Sequence, residues 1–302
     1  MSTSTTTNAA PSSNPILSGQ MLAILPLLLV FDSMHFVFAR LLAPYITSDS
    51  GALYVLATAT VIFGLYAVMT NRLDWRIFWE HKWFFLAIGA LIGLSTNLGY
   101  LAVQYIDAGT ASMLNKLSTL FSVLFGVLWL HERFRTGQWI GALLALCGVF
   151  TIAFQPGDYL RFGALLVVIG TLSYSLHTAL VKRDGSQIDF VNFFFFRVAA
   201  STAALFLIAL ARGHLVWPNS MEAWLLLSFV GLVDVVLSRL CFYWALRHMT
   251  MSVHSLILTV SPVLAVVWSY LLIGDLPTIQ QLVGGAAVVL GVLLVMRGQR
   301  NR

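Results

Sequence analysis

Five charged side chains fall inside long apolar stretches of the sequence. They are Asp32, Lys116, Arg197, Asp234 and Arg239. A charged group at the centre of a membrane helix costs about 2.5 to 3.5 kcal/mol on insertion scales, so each one should have a partner and a use. These residues are therefore candidate binding or gating groups.

Asp32 and Lys116 could bind the ammonium and carboxylate groups of a zwitterion, or could open and close during a conformational cycle. A permanent structural ion pair is the alternative, and both readings stay open because a buried pair is often no more stabilising than apolar packing. Asp234 and Arg239 are five residues apart, about 140° around an α-helix, so each should find a partner other than its neighbour. Arg197 lies about two turns from the end of its apolar stretch and is expected to snorkel to the interface, with contact to the substrate as the alternative.

Two histidines, His35 and His177, occupy matching positions in the two halves of the chain. A histidine can titrate near neutral pH, which would allow proton coupling, whereas a hydrogen bond between helices is the alternative role. Neutral polar side chains could line the same cavity, with interhelical hydrogen bonds as the alternative for any one of them. They are Asn97, Asn115, Tyr174, Ser175 and Tyr243.

The depth of these residues along their helices, at about 1.5 Å per residue, predicts two layers. The outer layer holds Asp32, His35, Asn97 and Lys116. The inner layer holds His177, Arg197, Arg239 and His254, with Asp234 near the middle. The two layers resemble two gates on either side of one cavity.

The composition places these residues in a membrane protein. Of 302 residues, 59% are apolar and only 10% are charged, against about 25% charged in a soluble globular protein. An ordinary soluble enzyme is therefore excluded, and the outer surface should face lipid. Residues 1–18 are rich in Ser, Thr, Asn and Pro and contain no Lys or Arg, which indicates a disordered tail and no signal peptide.

Ten apolar stretches have the length of about 20 residues that a membrane-spanning helix needs. They cover residues 19–41, 51–70, 83–105, 109–130, 138–155, 162–181, 190–211, 223–245, 252–273 and 279–296. The stretches lack the alternating pattern of barrel strands, so the predicted fold is an all-α integral membrane domain of ten helices. With the N-terminus inside, eleven Lys and Arg lie in cytoplasmic segments and three lie outside, which predicts that both termini are cytoplasmic.

The second half of the chain repeats the first. An offset of 143 residues pairs Tyr100 with Tyr243, Ser118 with Ser261, Gly141 with Gly284 and Gly148 with Gly291, and an offset of 142 pairs Ser33, His35 and Arg40 with Ser175, His177 and Lys182. Five helices per repeat make the second repeat enter the membrane from the opposite side, and such inverted repeats underlie alternating access in many secondary transporters. The predicted units are a cytoplasmic tail over 1–18, a first repeat over 19–155 and a second over 158–298.

Two pairs of glycines have the spacing that is typical of closely packed helices. Gly89 with Gly93, and Gly137 with Gly141, are four residues apart, a spacing that permits close helix approach. We expect packing within one chain, with a dimer contact as the alternative.

Two segments carry a family resemblance: ASMLNKLSTLFSVLFGVLWLHERFRTGQWIGALLALCGV and VHSLILTVSPVLAVVWSYLLIGDLPTIQQLVGGAAVVLGV. They resemble the two copies of the EamA repeat of the drug/metabolite transporter superfamily, and the spacing of Glu132, Gln138 and Gly141 is the most specific part. The resemblance implies a ten-helix inverted-repeat carrier with a central cavity, often an exporter of amino acids, related metabolites or drugs. Thr119 replaces a common proline, Phe31 and Asp32 replace a Trp-Gly pair, and Asp275 replaces a glutamate, so the substrate class is open.

The sequence contains no GxSxG, HExxH or Walker A motif, which argues against a membrane enzyme. The duplication argues against a channel. The sequence thus predicts a secondary active transporter, an exporter of zwitterionic or anionic metabolites such as amino acids, in a bacterial inner membrane. Export of organic cations or drugs is the alternative. No cofactor, metal or nucleic acid is expected, the driving gradient of protons, sodium or substrate is open, and the chain should be a monomer or a weak homodimer.

Overall fold

The computed structural model describes residues 19–118, 120–121, 124–125, 136–153, 162–185, 188–248, 258 and 260–300. This part of the chain is all-helical and contains no strand. The predicted tail over residues 1–18, together with Glu132 and His254, lies outside the described residues.

The helices follow the apolar stretches of the sequence. The first half contains α1 (Gly19–Leu42), α2 (Ser48–Met69), the short α3 (Trp75–Glu80), α4 (Lys82–Ala102), α5 (Ala108–Asn115) and α6 (Thr136–Ala153). The second half contains α7 (Phe162–Asp184), α8 (Phe190–Ala211), α9 (Met221–Val230), a π-helical segment (Gly231–Leu237), α10 (Ser238–His248), α11 (Ser261–Ile273) and α12 (Ile279–Arg300). Asp107, Asp189 and Ser220 set the starts of α5, α8 and α9, because their side chains accept hydrogen bonds from first-turn amides.

Six helices among the described residues are long and apolar enough to cross a membrane. They cover Ile24–Leu42, Ser48–Met69, Lys82–Ala102, Phe162–Asp184, Phe190–Ala211 and Met221–Phe242. Shorter apolar helices cover Trp139–Ile152, Ser261–Ile273 and Ile279–Val295. Of the predicted stretch over 109–130, only the beginning is described as a helix of its own, α5. The count of ten helices and the cytoplasmic termini stay predictions.

Related positions of the two repeats meet in space. A methyl group built on Gly141 would lie 2.6 Å from the carbonyl oxygen of Gly291, and one built on Gly148 would lie 2.5 Å from that of Gly284. The sequence offset of 143 exchanges these two contacts, so α6 and α12 cross antiparallel as equivalent helices. Such contacts fit a two-fold axis in the membrane plane.

A second contact also joins equivalent positions of the two repeats. The hydroxyl oxygens of Thr60 in α2 and Thr202 in α8 are 2.9 Å apart, and the two residues differ by the offset of 142 that relates the first helices of the repeats. Helix α4 packs against both α7 and α8, where Gly89 meets the backbone of Ala200 and Gly93 meets Ala204. Gly89, Gly93 and Gly141 therefore have close partners within the same chain.

The α6–α12 crossing predicts opposite outcomes for two alanine substitutions. Gly148→Ala should lower stability by about 1 to 3 kcal/mol, because its methyl group has no room beside a backbone carbonyl. Gly137→Ala is the matched control on the same helix, since no atom lies within 4 Å of the added methyl group. Thermal unfolding of the detergent-purified protein measures both, and equal midpoints for the two variants would contradict the crossing.

Candidate functional site

Two ion pairs lie within the length of α1, and a third, between Arg40 and Asp275 at 3.1 Å, lies in its last turn. The Asp32 carboxylate lies 3.4 Å from the Lys116 ammonium, which ends α5, and the His35 Nδ1 lies 2.8 Å from the Asp234 carboxylate in the π-helical segment. Asp32 and His35 are three residues apart on α1, so their side chains lie on neighbouring turns of one helix face. The first pair joins two elements of the first half of the chain, and the second pair joins the two halves.

The pairs differ in closeness and burial. The Asp32 carboxylate oxygen and the Lys116 Nζ are 3.4 Å apart. This distance is longer than the roughly 2.7 to 2.9 Å of a short charge-assisted hydrogen bond. Asp32 is 22% exposed and His35 is 28% exposed, whereas Asp234 is only 5% exposed. Asp32 and His35 are therefore only partly covered, while Asp234 is covered by protein.

Asp234 lies in the π-helical segment, and Arg239 lies just after it in α10. Each has a partner other than its neighbour, since Asp234 pairs with His35 and Arg239 donates to the Tyr174 hydroxyl. Both charges act on His35, and Arg239 also acts on Asp32. Gly231 begins the segment where a side chain would meet the Val55 carbonyl oxygen at 2.7 Å, so only glycine permits this approach to α2.

Arg239 joins this cluster to α7. One of its guanidinium nitrogens donates to the Tyr174 hydroxyl at 3.3 Å, and the guanidinium carbon lies 5.9 Å from the centre of the Tyr174 ring. The His177 ring is 5.4 Å from the same ring. The sequence placed His177 and Arg239 in the inner layer and Tyr174 among the residues that could line the cavity, and in the structure the three lie together.

Asn115 and Ser175 make interhelical contacts beside the cluster. The Asn115 side-chain oxygen accepts from the Thr171 hydroxyl at 3.2 Å, and the buried Ser175 hydroxyl lies within hydrogen-bond distance of the Ser118 and Thr171 carbonyls. These contacts match the alternative role of packing between α5 and α7. The Tyr243 side chain lies outside the described part of the chain.

Asn97 lies in a different polar cluster. Its amide donates to the Asp49 carboxylate at 2.7 Å, and the same carboxylate pairs with Arg212 at 3.0 Å and His214 at 2.7 Å. The sequence grouped Asn97 with Asp32, His35 and Lys116 in one outer layer. In the structure Asn97 belongs to the Asp49 cluster instead. Depth alone could not reveal this, because Asp49 lies in a predicted loop that in fact forms the first turn of α2.

The structure corrects the interpretation of Arg197 and adds Ser261 to the residues near Asp32. Arg197 is only 5% exposed, so the expectation that it snorkels to the interface is wrong: neighbouring helices cover it. Ser261 was not a candidate, yet it is fully buried at the start of α11 beside the Asp32 carboxylate. Its pairing with Ser118 under the repeat offset was the signal in the sequence.

The fold and these buried charges define a multi-pass membrane protein. The chain belongs to the EamA-like transporter family, whose profile matches residues 17–154 and again residues 161–297. Among the described residues, no group of three or more His, Cys, Asp or Glu side chains is arranged to hold a metal ion.

Three curated relatives have transporter names. The chain is 30% identical over 189 residues to the uncharacterized transporter YdfC of Bacillus subtilis (strain 168), which covers 62% of each chain. It is 26% identical over 205 residues to the "Probable terminal-alkyne amino-acid exporter" of Streptantibioticus cattleyicolor, covering 66% of this chain and 67% of the relative. It is 26% identical over 142 residues to the pseudopaline exporter CntI of Pseudomonas aeruginosa, covering 46% and 48%.

One solved crystal structure of a protein shares the fold, with a TM-score of 0.61 and 17% identity over 93% of this chain and 98% of the other. The family and the relatives' names indicate a transporter rather than an enzyme. The apolar helices and the bacterial relatives place it as a multi-pass protein of the inner membrane.

The two clusters predict that two carboxylates have separable roles. Asp49→Asn should lower stability by about 1.5 to 3 kcal/mol, the usual contribution of a hydrogen bond to a charged group, and should leave ligand binding unchanged. Asp32→Asn should weaken ligand binding. Thermal unfolding with and without ligand separates the two effects, with the exposed Asp184→Asn as the control. Loss of ligand binding in Asp49→Asn would contradict the assignment.

Proposed function

We propose that the protein is a secondary active transporter that exports small zwitterionic metabolites, with amino acids as the first class to test. In this proposal ten helices form two inverted repeats, both termini are cytoplasmic, and substrate binds between the repeats. The observation that carries the proposal is the pair of ion pairs on α1, which places both signs of charge in contact inside membrane helices.

A zwitterion suits this arrangement because it can replace both members of a loose pair at once. Its ammonium group would bind Asp32 and its carboxylate would bind Lys116, so neither protein charge is left alone when the pair opens. A single cation could satisfy Asp32 only and would leave Lys116 unpaired at membrane depth, where charge is costly. The long distance between Asp32 and Lys116 and the partial exposure of Asp32 support this exchange.

The second pair connects binding to the two halves of the chain. His35 belongs to the first predicted repeat and Asp234 belongs to the second, and their hydrogen bond of 2.8 Å is one turn of α1 from Asp32. A ligand at Asp32 would change the field on His35, since the two groups already interact. We infer that opening and closing of the His35–Asp234 pair accompanies alternating access, with protons as one candidate for the coupling ion.

The names of two relatives support export, and the name of one of them supports amino acids as the substrate class. One is a probable exporter of a terminal-alkyne amino acid and the other is a pseudopaline exporter. Export of amino-acid-like compounds is therefore the first activity to assay in this chain.

Transport measurements test the proposal directly. In proteoliposomes, the protein should show saturable counterflow of a labelled amino acid, with about a tenfold or greater loss in Lys116→Ala and in Asp32→Asn, because each removes a charge-assisted contact. Lys182→Ala is the control, since this exposed lysine carries the same charge away from the site. The Asp32→Asn/Lys116→Ala double variant keeps the site free of an unpaired charge and should also be inactive.

Unchanged counterflow in both single variants would contradict the proposed contacts. Counterflow of organic cations in place of amino acids, with loss in Asp32→Asn alone, would make the cation reading correct and would leave Lys116 as a structural partner.

A further inference from the structure

The His177 side chain is buried without a hydrogen-bond partner. Residue His177 is 3% exposed, and neither ring nitrogen has a partner within the described residues. The Tyr174 carbonyl one turn earlier is close enough to act on the ring, but its approach does not meet hydrogen-bond geometry. A histidine ring always offers at least one N–H donor, and buried donors of folded proteins nearly always have an acceptor. This ring therefore requires an acceptor from outside the described chain.

Arg197 is also buried with a polar atom that has no hydrogen-bond partner among the described residues. It is 5% exposed, and among the described residues its Nε has no hydrogen-bond partner and its guanidinium forms no ion pair. A buried guanidinium without a counter-ion is costly at membrane depth. Like the buried imidazole, this guanidinium finds no anionic partner in the part of the chain that the structure describes.

The two groups lie at the same depth. His177 is seven residues before the end of α7 and Arg197 is seven residues after the start of α8, which is about 10 Å from that end of each helix. The charges of Arg197 and Arg239 both act on the His177 ring, and no described acid is among the groups that act on it. The result is a positive region next to the Tyr174 hydroxyl, with Arg239 shared between this region and the ion pairs on α1.

We propose that Arg197 and His177, with Arg239 at their edge, form a second binding subsite that takes a carboxylate of the transported molecule. The subsite rests on the proposed function and deepens it, because it is separate from the carboxylate contact of Lys116. A guanidinium presents a planar set of donors that matches a carboxylate, and the His177 N–H adds a further donor. A substrate that uses both subsites carries two carboxylates and one ammonium, so the preferred class is net anionic amino acids rather than neutral ones.

Matched ligands test this preference. Glutamate and glutamine differ only in the terminal carboxylate and amide, and glutarate keeps both carboxylates without the ammonium. Binding to the purified full-length protein is measured by thermal stabilisation over a concentration series. We expect glutamate to bind about tenfold or more tightly than glutamine, as befits a charge-assisted contact. In Arg197→Gln this ratio should fall to about one, through loss of glutamate affinity alone.

Two further variants guard against misfolding. Arg197→Lys keeps the charge but lacks the planar donors, and His177→Gln keeps a donor of different geometry, so both should show intermediate ratios. Arg183→Gln is the control, because Arg183 is exposed at the end of α7 and pairs with Asp184.

The outcomes separate the subsite from the proposed function. Equal affinities of the wild-type protein for glutamate and glutamine, or an unchanged ratio in all three site variants, would overturn the subsite while leaving the zwitterion carrier intact. Binding of glutarate that is lost in Arg197→Gln, without binding of either amino acid, would support the subsite and refute the zwitterion proposal. Absence of binding by all three ligands would overturn both.

Discussion

The structure depends on one constraint: a charge inside an apolar helix bundle must be matched by another group. Within the length of α1 this constraint is met by Asp32 with Lys116 and by His35 with Asp234, and in its last turn by Arg40 with Asp275. The first pair is loose and partly exposed, and the second is short and buried on its acidic side. The charges therefore hold α1 against both halves of the chain, and in our proposal the loose pair is the one that a ligand opens.

The symmetry of the two repeats is visible in the contacts between them. Equivalent residues touch each other at Thr60 and Thr202, and equivalent glycines exchange partners where α6 crosses α12. In the proposed transport cycle, moving one repeat relative to the other would replace some contacts with their symmetric counterparts. The polar groups break the symmetry: His35 has an acidic partner, whereas its equivalent His177 lies beside Arg197 and Arg239. The two sides of the proposed binding region thus differ in charge although their helices are equivalent.

The apolar stretches of the sequence predicted the positions of the long helices that the structure describes. The charged residues within those stretches are visible without any three-dimensional information. The sequence also placed Asp32 and Lys116 in the same layer. It could not predict the His35–Asp234 pair, since the depth of a residue along its helix does not show which neighbouring helix its side chain meets. The side-chain direction of Arg197 was equally hidden, because depth along a helix does not fix which face a residue occupies. Asn97 was misplaced because its partner Asp49 sits at a helix start that resembles a loop.

In the proposed site, Asp32 recognises an ammonium group and Lys116 recognises a carboxylate. Binding can be measured for one amino acid, for its analogue without the ammonium and for its analogue without the carboxylate, each with wild type, Asp32→Asn and Lys116→Ala. We expect Asp32→Asn to weaken binding only of ligands that carry the ammonium, and Lys116→Ala to weaken binding only of ligands that carry the carboxylate. Equal losses for all three ligands in either variant would contradict the assignment and would show that the pair acts on structure alone.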